Sequence, residues 1–173
     1  MESEKREIDY TSFSDQYDVR RLKKDNIGEI YGLCRGNPLY YRHCPPFVTR
    51  ESTEEDLKTL PPGKELCDKY YLGYYDKGRL IAVMDLISGY PDRETAFVGF
   101  FMTDVSVQNT GAGSRIIDSL CQALGSLGFL RIRLGWVSAN PQAEHFWHKN
   151  HFFETGTVVH MDAYTVTAAE RKL

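Results

Sequence analysis

Gln108-Asn109-Thr110-Gly111-Ala112-Gly113 joins a strand pattern to a helix pattern, and this junction decides the fold. Upstream, Ala96-Phe97-Val98-Gly99-Phe100-Phe101-Met102 is almost wholly apolar. Downstream, from about Ser114 to Leu127, the residues Ile116, Ile117, Leu120, Cys121, Leu124 and Leu127 fall on one helical face. A glycine-containing turn that opens a helix leaves backbone N–H groups without partners, and the positive end of the helix dipole stands behind them. Together they make a seat for phosphate. Glycine is needed where a Cβ would block close backbone approach or a positive φ. Chemistry on a phosphate-bearing cofactor is the first expectation.

Working outward, Gly128 supplies a stop for that helix. Leu130 to Val137 then alternates, with Leu130, Ile132, Leu134 and Trp136 on one side and Arg131 and Arg133 on the other. Asn140-Pro141 opens a further helix, Asn suiting the cap and Pro the first position, with an apolar stripe of Ala143, Phe146 and Trp147. Thr155 to about Ala169 reads as two strands around Met161-Asp162-Ala163. Toward the N-terminus, Asp68 to Tyr75 and Arg79 to Ile87 are β-rich and meet at the hairpin signal Asp76-Lys77-Gly78. Tyr70, Tyr71, Tyr74 and Tyr75 suit such a strand. Ser52-x-x-Glu55 is a capping box for a short helix ending before Pro61-Pro62. Arg35 to Thr49, with Pro38, Pro45 and Pro46, is expected to resist regular structure. Gln16 to Leu22 reads as a strand and Asp25 to Cys34 as a helix. The order of elements indicates one mixed α/β sheet with helices on its faces. Residues 1–13 are polar and expected to be loose, with a single domain over 14–173.

The chain's 173 residues suffice to bury about 70% of the unfolded surface in one core. A net charge of −3 carries no signature for nucleic acid. No apolar run approaches the roughly 18 residues of a membrane span, and Met1 to Glu7 is charged rather than signal-like. Cys34, Cys44, Cys67 and Cys121 show no C-x-x-C pairing and read as reduced thiols of a cytoplasmic protein, Cys121 as a buried small hydrophobe.

Two motifs on this frame carry a family resemblance. Gln108-x-x-Gly111-x-Gly113, between a strand and a helix, resembles the Q/R-x-x-G-x-G/A signature of the GNAT superfamily of acetyl-CoA-dependent N-acetyltransferases. Downstream, Asn140-x-x-Ala143-x-x-Phe146-Trp147-x-x-x-His151-Phe152 is similar to the same family's N-x-x-A-x-x-[FL]-Y-x-x-x-G-F segment. The resemblance covers residues 16 to 169. It implies a mostly antiparallel sheet of six to seven strands flanked by helices on both faces, with splaying between the fourth and fifth strands. Three departures stand out. Trp147 occupies the place of a tyrosine that protonates the departing thiolate, and an indole N–H is a poor acid. His151 replaces a glycine at an expected left-handed position. Asn109 and Thr110 replace Gly/Lys-type residues, which removes a cationic phosphate contact and leaves the backbone donors.

The resemblance implies that Gln108 and the backbone of Asn109, Thr110, Gly111, Ala112, Gly113 and Ser114 hold the pyrophosphate of coenzyme A. Met102 and Thr103 would offer backbone groups to the pantetheine arm, and Asn140 either contacts that arm or simply caps its helix. Phe146 and Trp147 would be core residues that also line the cleft. The reaction implied is direct attack of an amine on the thioester carbonyl. A lysine-like amine of pKa about 10.4 is roughly one part in 2,500 neutral at pH 7, a cost of about 4.6 kcal/mol. A proton acceptor therefore matters, yet Ala96 to Met102 holds no carboxylate. Asp85, in the apolar run Leu80 to Ile87, is a base candidate whose surroundings raise its pKa, or else a structural residue that binds a backbone group or arginine or points to solvent. His145, His148 and His151 fall loosely on one side of a helix. Without an acid or thiol partner of matching spacing they indicate a solvated face rather than a metal site, with His148 a candidate acid. Tyr40-Tyr41-Arg42-His43 either orients an amine substrate or packs a loop.

The expectation is an N-acetyltransferase that uses acetyl-CoA, needs no metal and acts on a primary amine: a small metabolite, a drug-like polyamine or a protein amino group. The alternative is a non-catalytic acetyl-CoA-binding regulatory module, which the missing tyrosine and strand carboxylate favour. A nucleotide-binding reading lacks the P-loop lysine and the G-x-G-x-x-G spacing. The fold is compatible with a homodimer, although no exposed seam is legible.

Overall fold

The computed structural model describes residues 5–173. Its strands are β1 (Asp18–Arg21), β2 (Lys69–Asp76), β3 (Arg79–Ser88), β4 (Thr95–Thr103), β5 (Arg131–Val137), β6 (Phe153–His160) and β7 (Thr165–Lys172). The helices are α1 (Ile27–Arg35), α2 (Pro38–His43), α3 (Arg50–Asp56), α4 (Ala112–Ser126) and α5 (Pro141–Lys149). All seven strands join one sheet in the order β1-β2-β3-β4-β5-β7-β6. Only β4 and β5 run parallel; every other neighbouring pair is antiparallel. The mixed, mostly antiparallel sheet expected from the sequence is therefore present.

Alternation along β2 shows how the sheet is covered. Tyr70, Leu72 and Tyr74 join the core under α4, with Ile116, Ile117, Leu120 and Leu124. Tyr71 and Tyr75 point the other way and pack with Ile30, Leu33 and Cys34 of α1. Both faces of this strand, second from the β1 edge, are buried, and its tyrosines supply bulk to each. At the β2–β3 hairpin Lys77 (φ 50°) and Gly78 (φ 81°) make the two-residue turn between the paired Asp76 and Arg79. Gly128 (φ 86°) ends α4's approach to β5 as expected.

Three local expectations are corrected. Residues 8–13 are not loose: Ile8 and Phe13 are buried in the α4-side core, and Tyr10–Phe13 forms a 3-10 turn capped by Asp9. Burial of an apolar side chain of this size contributes about 2–3 kcal/mol, enough to fix a short segment. Residues 1–4, on which the rest of that expectation falls, lie outside the described residues. The stretch 35–49 contains α2, because Pro38 sits at the helix start, where the missing N–H is no loss. The capping box of α3 is Thr49 with Ser52, whose side chains bond each other's backbone N–H, and not Ser52 with Glu55.

Candidate active site

The site begins with a slip in register. Asp85 of β3 pairs with Phe100, but the next residue, Leu86, pairs with Val98, so Gly99 is left over as a bulge in β4. A bulge bends its strand and increases the local twist. The parallel pairing of β4 with β5 covers Thr95–Val98 against Arg131–Leu134 and stops just before Gly99. Beyond it β4 continues beside β3 alone, and Gly135–Val137 continues beside β7. The sheet is thus split, and the splaying implied by the resemblance is visible in the register.

A cleft of about 480 Å³ opens at the split. Its walls include Phe101, Met102 and Thr103 of β4, Asn37 and Tyr40 beside and on α2, Gln108, Asn109, Gly111, Gly113 and Ser114 at the head of α4, and Asn140, Gln142, Ala143, His145, Phe146 and Lys149 from α5. Gly111 takes the left-handed conformation (φ 84°) as the α4 N-cap, where only glycine is unstrained. Among the described residues, the amides of Gly113 and Ser114 have no acceptor. They form the open N-terminal end that a phosphate group would satisfy. Gly113 serves a different purpose, since a Cβ there would lie 3.1 Å from Phe146 Cε2. This close approach, with Asn150 Nδ2 donating to Ser114 Oγ at 3.2 Å, sets the second half of α5 against the first turn of α4. Lys149 and His145 line the same cleft as the free amides. Arg115 of α4 also stands at the loop, its Nη1 donating to the Thr110 carbonyl at 3.2 Å.

Of the expected contact residues, Met102, Thr103, Gln108, Asn109, Gly111, Gly113, Ser114, Asn140 and Phe146 line the cleft, whereas Thr110, Ala112 and Trp147 do not. Gln108 lines the cleft, but its amide donates to Asn37 Oδ1 at 2.6 Å and to the Thr103 carbonyl at 3.3 Å. Asn37 in turn donates to Leu33 and Thr103 carbonyls at 3.1 and 3.2 Å. The side chain therefore ties the loop to the end of β4 and to the start of α2. Thr110 turns its hydroxyl to the Val107 carbonyl and does not line the cleft. Ala112 is buried in the core, and its amide already donates to Thr110 Oγ1 at 3.3 Å. Trp147 is buried as well, packed on Phe101, Phe146 and Phe152, so it neither lines the cleft nor takes the place of an acid there. Asn140 caps its helix, its Oδ1 accepting from Ala143 N at 3.2 Å, and it also lines the cleft.

The acid–base candidates are also sorted. Asp85 is off the cleft wall; its Oδ2 accepts from Lys69 Nζ at 2.9 Å, and Lys69 donates as well to the Thr59 carbonyl. Burial pushes the Asp85 carboxyl above its ordinary range, and the Lys69 charge only partly offsets this. The structure gives Asp85 the structural partner that was one of its two expected roles, a lysine rather than an arginine. His148 also lies off the cleft wall, its Nε2 2.8 Å from Glu154 Oε1, while His145, which the sequence did not separate from it, lines the cleft. Helical spacing was the available signal, because Gln142, His145, Phe146 and Lys149 repeat at i, i+3, i+4 and i+7. His151 is left-handed at φ 66°, as its place in the motif implied. Tyr40 lines the cleft against Phe100, and burial followed by the neighbouring Cys44 thiol pushes its hydroxyl pKa up. Tyr41 packs on Tyr40 and Phe47, and neither it nor Arg42 reaches the cleft wall.

The comparisons agree with this geometry. Residues 36–152 match the family described as the Acetyltransferase (GNAT) family. A search of curated proteins finds no match. Among solved structures, an acetyltransferase from Thermus thermophilus is 19% identical at a TM-score of 0.74, over 91% of this chain and 97% of that one. An acetyl transferase from Salmonella typhimurium, which modifies the N-terminal serine of a 50S ribosomal subunit protein, is 16% identical at 0.72, over 93% and 97%. The PaiA N-acetyltransferase from Thermoplasma acidophilum, in complex with coenzyme A, is 16% identical at 0.66, over 91% and 99%. At such identities these likenesses show the fold, whereas the family match spans most of the chain. With its split sheet, glycine-capped α4 and matching motifs, the chain belongs to the GNAT family of acetyltransferases.

Proposed function

We propose that this enzyme transfers an acetyl group from acetyl-CoA to a primary amine by direct attack, with a protein α-amino group as the leading acceptor. The observation that carries the reading is the end of β4–β5 pairing at Val98, which leaves main chain at Phe101–Thr103 facing a cleft that runs to the free amides of α4. The bound donor supplies an acetyl thioester already activated toward amines. Gly113 and Ser114 amides, with Lys149 and His145 of the same cleft, hold its phosphates. The strand end at Met102 and Thr103 aligns the arm that carries the thioester. Gln108 and Asn37 lock that strand end to the phosphate loop, so both ends of the donor are held in one register. Tyr40 and the exposed Leu39 and Val105 form the acceptor side, an apolar mouth suited to a peptide terminus. The Salmonella enzyme's action on an N-terminal serine supports the same acceptor class. Asp85 holds the bulge from behind, and the amine's proton leaves to water in the mouth. Four free thiols support a reducing, cytoplasmic setting. Among the described residues no helix is long and apolar enough to cross a membrane.

A second reading, a non-catalytic module that binds acetyl-CoA, is favoured by one observation: among the described residues, no carboxylate lines the cleft. Free thiol release from acetyl-CoA separates the two, measured over peptides with free N-termini, polyamines and small primary amines, with Gly111→Val as the distorted-seat control. Turnover with a peptide α-amine and loss in the variant is the expected result. Calorimetric uptake of acetyl-CoA without turnover on any acceptor selects the module. No uptake at millimolar acetyl-CoA ends both readings.

A further inference from the structure

The period of α5 sends its histidines to different places. While His145 joins the cleft face, His148 meets β6 on another side of the helix. Glu144, one turn earlier on that side, and Glu154, near the start of β6, bring their carboxylates to the same point. One ligand atom from each of Glu144, His148 and Glu154 lies within 4.8 Å of the others. The sequence spacing gave no acid partner for these histidines; the turn at His151 (φ 66°) folds Glu154 back and provides one.

We propose that Glu144, His148 and Glu154 form a binding site for a divalent first-row transition cation, with Zn2+ as the best match. Two carboxylates and one imidazole converge, with His148 Nε2 already 2.8 Å from Glu154 Oε1, and a cation would relieve the repulsion between the two acids. Glu144 has no hydrogen-bond or ion-pair partner among the described residues, so its charge is available. Glu144 and His148 stand at i and i+4 on a helix, the spacing with which helical residues grip zinc from one face, and Glu154 adds a third ligand from a separate element. Zn2+ takes such ligands at about 2.0–2.2 Å, and three protein ligands leave a fourth position for water. The imidazole favours a borderline metal over Mg2+ or Ca2+, which prefer all-oxygen sets. The ring of His148 is also held in place. Trp136 meets it edge-on at 5.5 Å, and Phe153 stacks on it at 5.8 Å. The bound ion would tie β6 to the helix whose other face lines the cleft.

Calorimetry on the metal-stripped full chain tests the proposal with Zn2+ and Mg2+ as probes. One Zn2+ per chain in the micromolar range is expected, with no heat from Mg2+. Glu154→Gln, which keeps the side-chain shape, and His148→Ala are each expected to weaken uptake at least about tenfold. His160→Ala is expected to leave it unchanged, and circular dichroism establishes that each variant is folded. X-ray absorption of the Zn2+-loaded protein is expected to show nitrogen and oxygen ligands only. Sulfur scattering, uptake undiminished in Glu154→Gln, or no stoichiometric Zn2+ uptake by the unmodified chain would each overturn the site.

Discussion

Asp85 combines a charge with an apolar interior. Its side chain is 15% exposed and that of its partner Lys69 only 2%, and Asp85 Oδ1 is buried without a hydrogen-bond partner. Desolvation outweighs the attraction of Lys69, so the folded carboxyl holds its proton to higher pH than an unfolded one. A raised folded pKa gives a stability contribution that is complete below the unfolded value and is lost as pH rises through the folded value. Asp85→Asn abolishes that titration. Relative to the variant, the native chain is therefore expected to lose stability as pH rises above about 4, the ordinary aspartate value. Urea denaturation of both proteins at about pH 4 and in steps above it measures the difference; a gap independent of pH, or one of opposite sign, would mean that the Asp85 pKa is not raised by folding.

The element that makes the site is β4, through its bulge. A Cβ on Gly99 would come 2.9 Å from Asp85 Oδ2, so even alanine must displace the Lys69–Asp85 pair or straighten the strand. Gly99→Ala is expected to lower stability by about 1–3 kcal/mol and to weaken acetyl-CoA binding, read by denaturant melts and calorimetry. Wild-type values in both would mean the bulge does not depend on that pair. Little of this was legible beforehand. The apolar period of α4, the Asn140-Pro141 cap of α5 and the Lys77-Gly78 hairpin are local signals, and the sequence displays them. The slip between β3 and β4 depends on how two distant segments align, and no window of one strand contains it. The start of α3 is hidden for a subtler reason: Thr49 and Ser52 are both good caps, and only the reciprocal bonds between them show which is first. The loss of Trp147 from the cleft wall reflects packing on three aromatic neighbours, where a motif position carries no information about side-chain direction.

At the scale of the molecule, four residue pairs between β4 and β5 join the two halves of the sheet. Main-chain groups of Gly99–Thr103 that point away from β3 have no strand beside them. Their amide hydrogens are expected to exchange faster than those of Thr95–Val98, and to slow when acetyl-CoA is added. Equal protection along β4 without ligand would argue against the split. That narrow seam also turns heat resistance into a gauge of donor occupancy. A molecule lodged in the gap at a hundredfold excess over its Kd adds about 2.7 kcal/mol to the folded state, and each kcal/mol moves the midpoint of a chain this size by roughly 2–4 °C. Thioesters of increasing acyl length can thus be ranked by the temperature at which the protein unfolds, before any acceptor is in hand.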